Sequence, residues 1–464
     1  VLERSTGKLY YMPMPNEDLT TAKVIAPKAE KLIVFDGNPK EGKFVEYITF
    51  RNLNMAYTNF NLPWGNCNDA QGSASVSACI DMTGARHCAI ERCTMRDLGT
   101  FAVELFDGCT YNRFCGNQLS QLAAGGFRLR GTEPGSMPAL RTGNTISDNT
   151  IAYYGLTYPS AVGILIMHSD GNTIAHNLIH HGDYTGISVG WSWGYQRSAA
   201  RNNLVEQNHI HDIGYNNLLS DMGGIYTLGL SPGTAVRNNL VHDVNANRYG
   251  GWGIYADEGS TSVLIENNIV YNTKYGTFNI HYAKDLTVRN NIFALGRLQQ
   301  YSRSKQEEHT TAYFEGNIIY WTQGKLMVEE YKWNDISYKM STNPYVPPIE
   351  TNVTYVSDWN IFYNPNLTRD QLKFGGRSWA EWQALGHDLH SLYVDPMFVD
   401  AANHDFRLKA DSPALKMGFQ QIDMSQVGPR PEYCTNSCKC SAGTPTEIQI
   451  CPEKTEPATA NSTN

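Results

Sequence analysis

The chain has 464 residues, 41% of them hydrophobic and 18% charged, with a formal net charge of −8. That acidic balance excludes nucleic acid as a partner, because phosphate recognition needs a basic footprint. No apolar run approaches the roughly 18 residues of a membrane span, so no membrane partner is expected, and 27 Tyr, 16 Phe and 9 Trp supply too much burial for a disordered chain.

The first residue is Val1, from which we expect that an upstream piece has been removed; a cleaved fragment of the same precursor is an expected partner. Residues 1–45 hold strand-like pieces such as Leu32-Ile-Val-Phe35 behind a Pro-rich lead-in, and read as an N-terminal strand segment continuing that piece. Residues 45–115 carry Cys67, Cys79, Cys88, Cys93, Cys109 and Cys115 and read as irregular turns of the coil that follows. A second group, Cys434, Cys438, Cys440 and Cys451, lies at the end. Both groups are even in number, which predicts disulfides and an oxidising compartment, with the connectivity open. Zinc is disfavoured, because there is no C-x-x-C pair and the late group has no His beside it. Sequons at Asn352, Asn366 and Asn461 are compatible with a glycosylated, secreted protein.

From about residue 86 to residue 363 one pattern recurs: apolar-x-x-Asn-apolar-apolar. Its Asn residues are Asn149, Asn177, Asn208, Asn239, Asn268, Asn291, Asn317 and Asn360, spaced by 28, 31, 31, 29, 23, 26 and 43 residues. A Gly followed by a strand alternates with it, at Gly163-Ile164, Gly186-Ile187, Gly224-Ile225 and Gly253-Ile254. Such a length exceeds one ordinary domain unless the fold grows along one axis. Short β-branched strands with no helical periodicity, repeating every roughly 20–50 residues, mean a solenoid or a propeller. The periods are too short and too rich in Asn and Ile for propeller blades. Turns stacked about 4.8 Å apart would align the Asn amides in one bonded column and the Ile and Val side chains in one core. The predicted fold is therefore all-β: a right-handed parallel β-helix over residues 46–365. Residues 323–358, with Pro344, Pro347 and Pro348, read as an insertion loop. Residues 366–432 read as a C-terminal cap with a helix near Arg377 to Leu385, and residues 433–464 as a Cys-containing flexible tail.

In a solenoid, Ile positions are core, and repeat positions that break the rule with charged or aromatic groups are candidates for function. Two strings stand out, Ser220-Asp221-Met-Gly-Gly-Ile-Tyr226-Thr-Leu-Gly229 and, one turn later, Gly251-Trp252-Gly-Ile-Tyr255-Ala-Asp257-Glu258-Gly259. With Ile254 and Ala256 inward, alternation turns Tyr255 and Asp257 outward, with Tyr226 stacked beside Tyr255. The neighbouring turns add Trp191, Trp193, His281 and Tyr282. Aromatic walls for sugar faces and carboxylates for proton transfer and nucleophilic attack suit a glycan cleft, so a carbohydrate ligand or substrate is the expected partner. Asp221, Asp257 and Glu258 are the catalytic candidates; Trp191, Trp193, Tyr226, Trp252, Tyr255 and His281 are the substrate-binding ones. No cofactor is expected. Single aspartates in such turns usually accept turn amides, the reading for Asp212 and Asp243. His180, His211 and His242 read as a stacked surface ladder, not a metal site. One obstacle is distance: on a straight strand Asp221 and Asp257 would lie some 20 Å apart. Their pairing requires a corner between them, and Asp183 is the fallback partner of Asp221.

At these strings the sequence resembles glycoside hydrolases of family 141, β-helix enzymes that include α-L-fucosidases and xylanases. Further matching strings are Tyr10-Tyr-Met-Pro13, Val45-Glu-Tyr-Ile-Thr-Phe-Arg51, Gly190-Trp-Ser-Trp-Gly194, Asn290-Asn-Ile-Phe-Ala294, Asp405-Phe-Arg-Leu-Lys409 and Ser412-Pro-Ala-Leu415. The resemblance spans roughly residues 1–430. It implies that Asp221 and Asp257 are the acid/base and the nucleophile of a retaining glycosidase, without saying which is which. It also implies more chain ahead of Tyr10, and makes the cysteines an extracellular elaboration. Where such proteins look like Phe-His-Gln-His-Tyr-Gly, this chain has Phe278-Asn-Ile-His-Tyr-Ala283, with Asn279 and Ile280 in place of polar ligands. A catalytically inactive extracellular β-helix that binds glycan or serves a structural role is the alternative, and a polysaccharide lyase a third reading.

Overall fold

Residues in this chain alternate inward and outward over short stretches, then break at an Asn or Gly. That grammar makes strands of three to five residues separated by sharp corners, and the chain winds into a coil. The computed structural model describes residues 1–63, 70–132, 136, 142–305, 307–327 and 354–433. Each turn contributes one strand to each of three parallel sheets of 10, 11 and 12 strands. The 10-stranded sheet runs from Ile33–Asp36 to Tyr301–Arg303. Four of its strands carry the argument below: β1 (Ile187–Val189), β2 (Gly223–Thr227), β3 (Trp252–Ala256) and β4 (Gly276–Ile280). The coil thus begins at Ile33, inside the segment assigned to the N-terminal lead-in.

The interior is built by register. Ile146, Ile174, Val205, Val236, Ile265, Val288 and Phe314 pair in series down the 11-stranded sheet, all 0% exposed. Outside each strand end, a corner residue in the left-handed region turns the chain, as at Asp148, His176, Gln207, Asn238, Asn267 and Asn290 (φ 53–58°). The next residue is the repeat Asn. Asn177 Nδ2 donates to Asn208 Oδ1 (2.9 Å) and Asn208 Nδ2 to Asn239 Oδ1 (3.0 Å), and the bonds run on to Asn360. A second ladder, Asn112–Asn144–Asn172–Asn203, stands at another corner and is invisible in the apolar-x-x-Asn pattern.

Both ladders explain the early cysteines. Cys88 N and Cys93 N donate to Asn112 Oδ1 (3.0 Å) and Asn117 Oδ1 (2.9 Å), so these cysteines stand where later turns place the ladder Asn. Cys79, Cys88, Cys93, Cys109 and Cys115 are buried free thiols, which corrects the disulfide expectation for these five. They fill core and corner positions of the coil instead of stapling it. Burial pushes the Cys79 and Cys109 thiols up to about 12. Cys67 and the four late cysteines, with Asn352 and Asn461, lie outside the described residues.

At the far end Ser378 caps a helix, Trp379–Ala384, whose Trp382 is fully buried against Phe374. The chain then runs back along the left-handed corners as a strap. Gln420 N donates to Asn290 Oδ1 (2.7 Å), Gly428 N to Gln207 O (2.9 Å), and Arg430 grips the Asp148 carboxylate with two bonds (2.8 and 2.6 Å).

Candidate active site

The outward face of the 10-stranded sheet carries one register column in which Ser188, Tyr226, Tyr255, Asn279 and Ser302 follow one another on successive turns. Asp221 lies just before β2, at φ 58°, and Asp257 just after β3. The corner that their pairing needs lies at the Gly column. A Cβ on Gly224 would meet Val241 and Val244, and one on Gly253 would meet Val270, all core residues. Ile225 and Ile254, the very next residues, are also fully buried core. Two consecutive inward positions break the alternation of a straight strand, so the chain bends there.

Across that bend Tyr255 joins the two acids. Its hydroxyl lies 3.1 Å from Asp221 Oδ1 and 2.8 Å from Asp257 Oδ1, so these two oxygens are at most 5.9 Å apart. A phenol has one proton and cannot donate fully to two carboxylates. The arrangement is satisfied when a protonated Asp221 donates to Tyr255 and Tyr255 donates to an ionised Asp257. The electrostatics agree. Burial, then repulsion from Asp257, raises the Asp221 pKa above its ordinary value. Burial also pushes Asp257 up, but hydrogen bonds from His281, Tyr226 and Tyr255 outweigh it and hold its carboxyl below the ordinary value. His281 Nδ1 sits 2.9 Å from Asp257 Oδ1, and that bond raises the His281 pKa. The Tyr226 hydroxyl donates to Asp257 Oδ2.

The remaining sequence candidates fall into place around this core. Glu258 lies at the rim, accepting from the Tyr282 hydroxyl (3.1 Å). Trp252 is buried against Tyr255, with ring centroids 4.4 Å apart. Trp191 is buried and donates to Ser188 Oγ (2.9 Å), while Trp193 stands edge-on to it, 44% exposed. Trp191 is therefore a buried support under Ser188, and Trp193 is the exposed ring of the two. Asp183 does not join Asp221; it accepts from Asn216 N and Nδ2 (both 3.1 Å), a turn-stabilising role. On the 12-stranded sheet His180, His211 and His242 stack 5.0 and 5.1 Å apart, remote in register from the acids. Asp212 and Asp243 accept from the preceding His211 (2.7 Å) and His242 (2.6 Å) rather than from turn amides, which corrects that expectation.

Several contributors escaped sequence reasoning. Tyr184 donates to the Asp221 carbonyl (3.0 Å) and accepts from Gln71 Nε2 (3.2 Å), tying the 70–77 loop to the site. That loop is nailed to the sheet by a buried charge cluster. Arg128 bonds both Glu104 oxygens (2.7 and 2.6 Å) and the carbonyls of Ser73 (3.0 Å) and Val76 (2.6 Å), while Arg130 reaches Ala74 O (3.0 Å). The alternation of Phe127-Arg-Leu-Arg was the available signal: it marks outward positions on the same sheet.

Comparison with known proteins places the fold. Residues 78–250 match the family described as the right-handed β-helix region. The uncharacterized protein YwoF of Bacillus subtilis (strain 168) is 27% identical over 299 residues, which are 58% of this chain and 58% of YwoF. Among solved structures, one described as a glycoside hydrolase is 21% identical with a TM-score of 0.46, over 67% of this chain and 53% of that one. A lacto-N-biosidase from Eubacterium ramulus is 12% identical with a TM-score of 0.44, over 72% and 61% of the two chains. The alginate lyase AlyF-OU02 in complex with G6 is 12% identical with a TM-score of 0.47, over 90% and 98%. The chain thus spans little more than half the length of the first two of these relatives, YwoF and the glycoside hydrolase. Sequence match and strand order agree on the fold: the chain is an all-β, right-handed parallel β-helix.

Proposed function

We propose that the protein is a retaining glycoside hydrolase. The carrying observation is the shared Tyr255 hydroxyl, which bridges Asp221 and Asp257 with their facing oxygens at most 5.9 Å apart. That limit accommodates the ~5–5.5 Å of retaining carboxyl pairs. Opposed pKa shifts assign the roles. Asp257 attacks the anomeric carbon while Asp221 gives its proton to the departing oxygen. Water then displaces Asp257 from the sugar and yields its proton to Asp221, restoring both groups. His281, Tyr226 and Tyr255 keep Asp257 ionised, and Trp193 offers a stacking surface for a sugar ring. An α-L-fucoside-like or xylan-like glycan is the proposed substrate, on the resemblance of the site strings. Asn366 is exposed, as a glycan acceptor must be, and supports the reading of a secreted glycoprotein.

The test uses aryl glycosides with good and poor leaving groups. Asp257→Asn should lose at least about 10³-fold in kcat on both. Asp221→Asn should lose about 10²–10⁴-fold on the poor leaving group and far less on the good one, which needs no proton. Wild-type-like rates in both variants, or glycan binding without turnover by the wild type, would overturn the assignment; the latter would establish the glycan-binding alternative.

A further inference from the structure

A cavity of about 490 Å³, whose lining shares no residue with the acid pair and its partners, lies between the last turns of the coil and the start of the strap. Its origin is a single residue. At the corner where earlier turns place Asn267 and Asn290, the next turn has Gly316 (φ 64°), and a Cβ built there meets nothing within 4 Å. The missing side chain leaves a notch. One turn on, the same corner position carries Trp359 (φ 59°), a bulky residue in the left-handed region that the chain elsewhere gives largely to Asn, Asp and Gly.

Trp359 is 50% exposed and held still. One face of its indole stacks on His390, with centroids 4.5 Å apart and planes 5° off parallel. His390 is in turn fixed by Asp358, through its backbone N and its Nδ1 (both 2.7 Å). The notch has two unlike sides. Met417 and Phe419 of the strap make the apolar one, and the outward ends of the 11-stranded sheet make the polar one. There Arg289 is spent on Glu266 (2.9 Å), while Glu315 has no ion-pair partner among the described residues. On the far side the strap is locked by Asn290, which both donates to Gln420 O (2.9 Å) and accepts from Gln420 N (2.7 Å). The volume falls in the ~300–1,000 Å³ range of small-ligand sites.

We propose that this notch is a second carbohydrate-binding site, one that takes a neutral sugar residue and is distinct from the Asp221–Asp257 groove. A pyranose has an apolar face for the indole and the strap, and a hydroxyl edge for Glu315. The unpaired carboxylate and the engaged arginine disfavour uronic acids and sulfated sugars. The proposal stands whether or not the groove hydrolyses anything.

Electrophoresis of the full chain in native gels containing a soluble polysaccharide tests it. Arabinoxylan, xyloglucan or galactomannan should retard the protein and polygalacturonate should not. Trp359→Ala should weaken the retardation about tenfold. So should Gly316→Asn, which fills the notch with the residue that the preceding turns carry there and therefore keeps the fold. Both variants should turn over a small aryl glycoside at the wild-type rate if the groove is catalytic. Three outcomes would each overturn the proposal: no neutral polymer retards the wild type, polygalacturonate retards it equally, or both variants migrate like the wild type.

Discussion

One hydroxyl, that of Tyr255, bridges the acid pair. It sits between two carboxylates that repel each other, and its one proton can be given fully to only one of them. Asp257 gains three donors, which hold its pKa below the ordinary value; burial and repulsion from Asp257 raise that of Asp221. The sign of the pH dependence follows. Activity falls as pH drops through the lowered pKa of Asp257, because the nucleophile is then protonated. It falls again as pH rises through the raised pKa of Asp221, because the acid is then lost. Tyr255→Phe removes one of the three donors to Asp257, so its pKa rises and the acid limb of kcat/KM moves to higher pH. A loss of about tenfold or more in kcat should accompany the move. An unshifted acid limb, read from a full pH–rate profile, would separate Tyr255 from the ionisation of Asp257.

At the scale of an element, the 70–77 loop matters because its Gln71 bonds the tyrosine that holds the Asp221 carbonyl. Its own Ser73 bonds Tyr158 O and Ser160 Oγ, and Val76 is fully buried, but its carbonyls need partners from the sheet. Glu104, Arg128 and Arg130, on two adjacent strands, hold it by its carbonyls, and Gln71 and Tyr184 pass that anchorage on to the backbone of Asp221. Arg128 is almost fully buried, and burial lowers its pKa despite the Glu104 carboxylate. Glu104→Ala therefore leaves a buried guanidinium uncompensated, which costs about 3–5 kcal/mol. Chemical denaturation should show that loss. A midpoint close to that of the wild type would mean that the cluster only decorates the sheet.

For the whole molecule, stability is distributed along a line. Within the three sheets each strand pairs only with the strands of the adjacent turns, so the ladder energies are local and repeat, while the strap and the 70–77 loop add contacts across several turns. Asn208 illustrates the unit: its amide donates to Asn239 Oδ1 and to the carbonyls of Ile174 and Glu206, and its Oδ1 accepts from Asn177 N and Nδ2. Truncation to Ala strands several buried groups at about 1–3 kcal/mol each. Asn177→Ala, Asn208→Ala and Asn239→Ala should each lower stability by more than about 3 kcal/mol, and by similar amounts, because the three environments are equivalent. Thermal melts of the three variants check this; a strong effect at one position alone would show that the ladder is not the common source.

The repeat was readable in the primary sequence because its cause is local. An Asn in each period, flanked by β-branched residues and followed by a Gly-led strand, can satisfy its bonds only by stacking on its own kind, so pattern and fold are one statement. The same locality placed Tyr226 beside Tyr255 and turned Asp257 outward. What the linear pattern could not decide was whatever depends on neighbours distant in the chain. Cys79, Cys88, Cys93, Cys109 and Cys115 counted as a disulfide set by number, yet the register buries each as a separate thiol. Alternation kept Asp221 and Asp257 far apart, because the bend at Gly224 and Gly253 arises only when the glycines pack against the valines of another sheet. The Tyr184 and Gln71 contacts, and the notch that Gly316 opens under the strap, join segments separated by 37 to more than 100 residues. Local alternation determined the coil; the stacking of turns and the return of distant loops decided which acids meet, and in which direction each pKa moves.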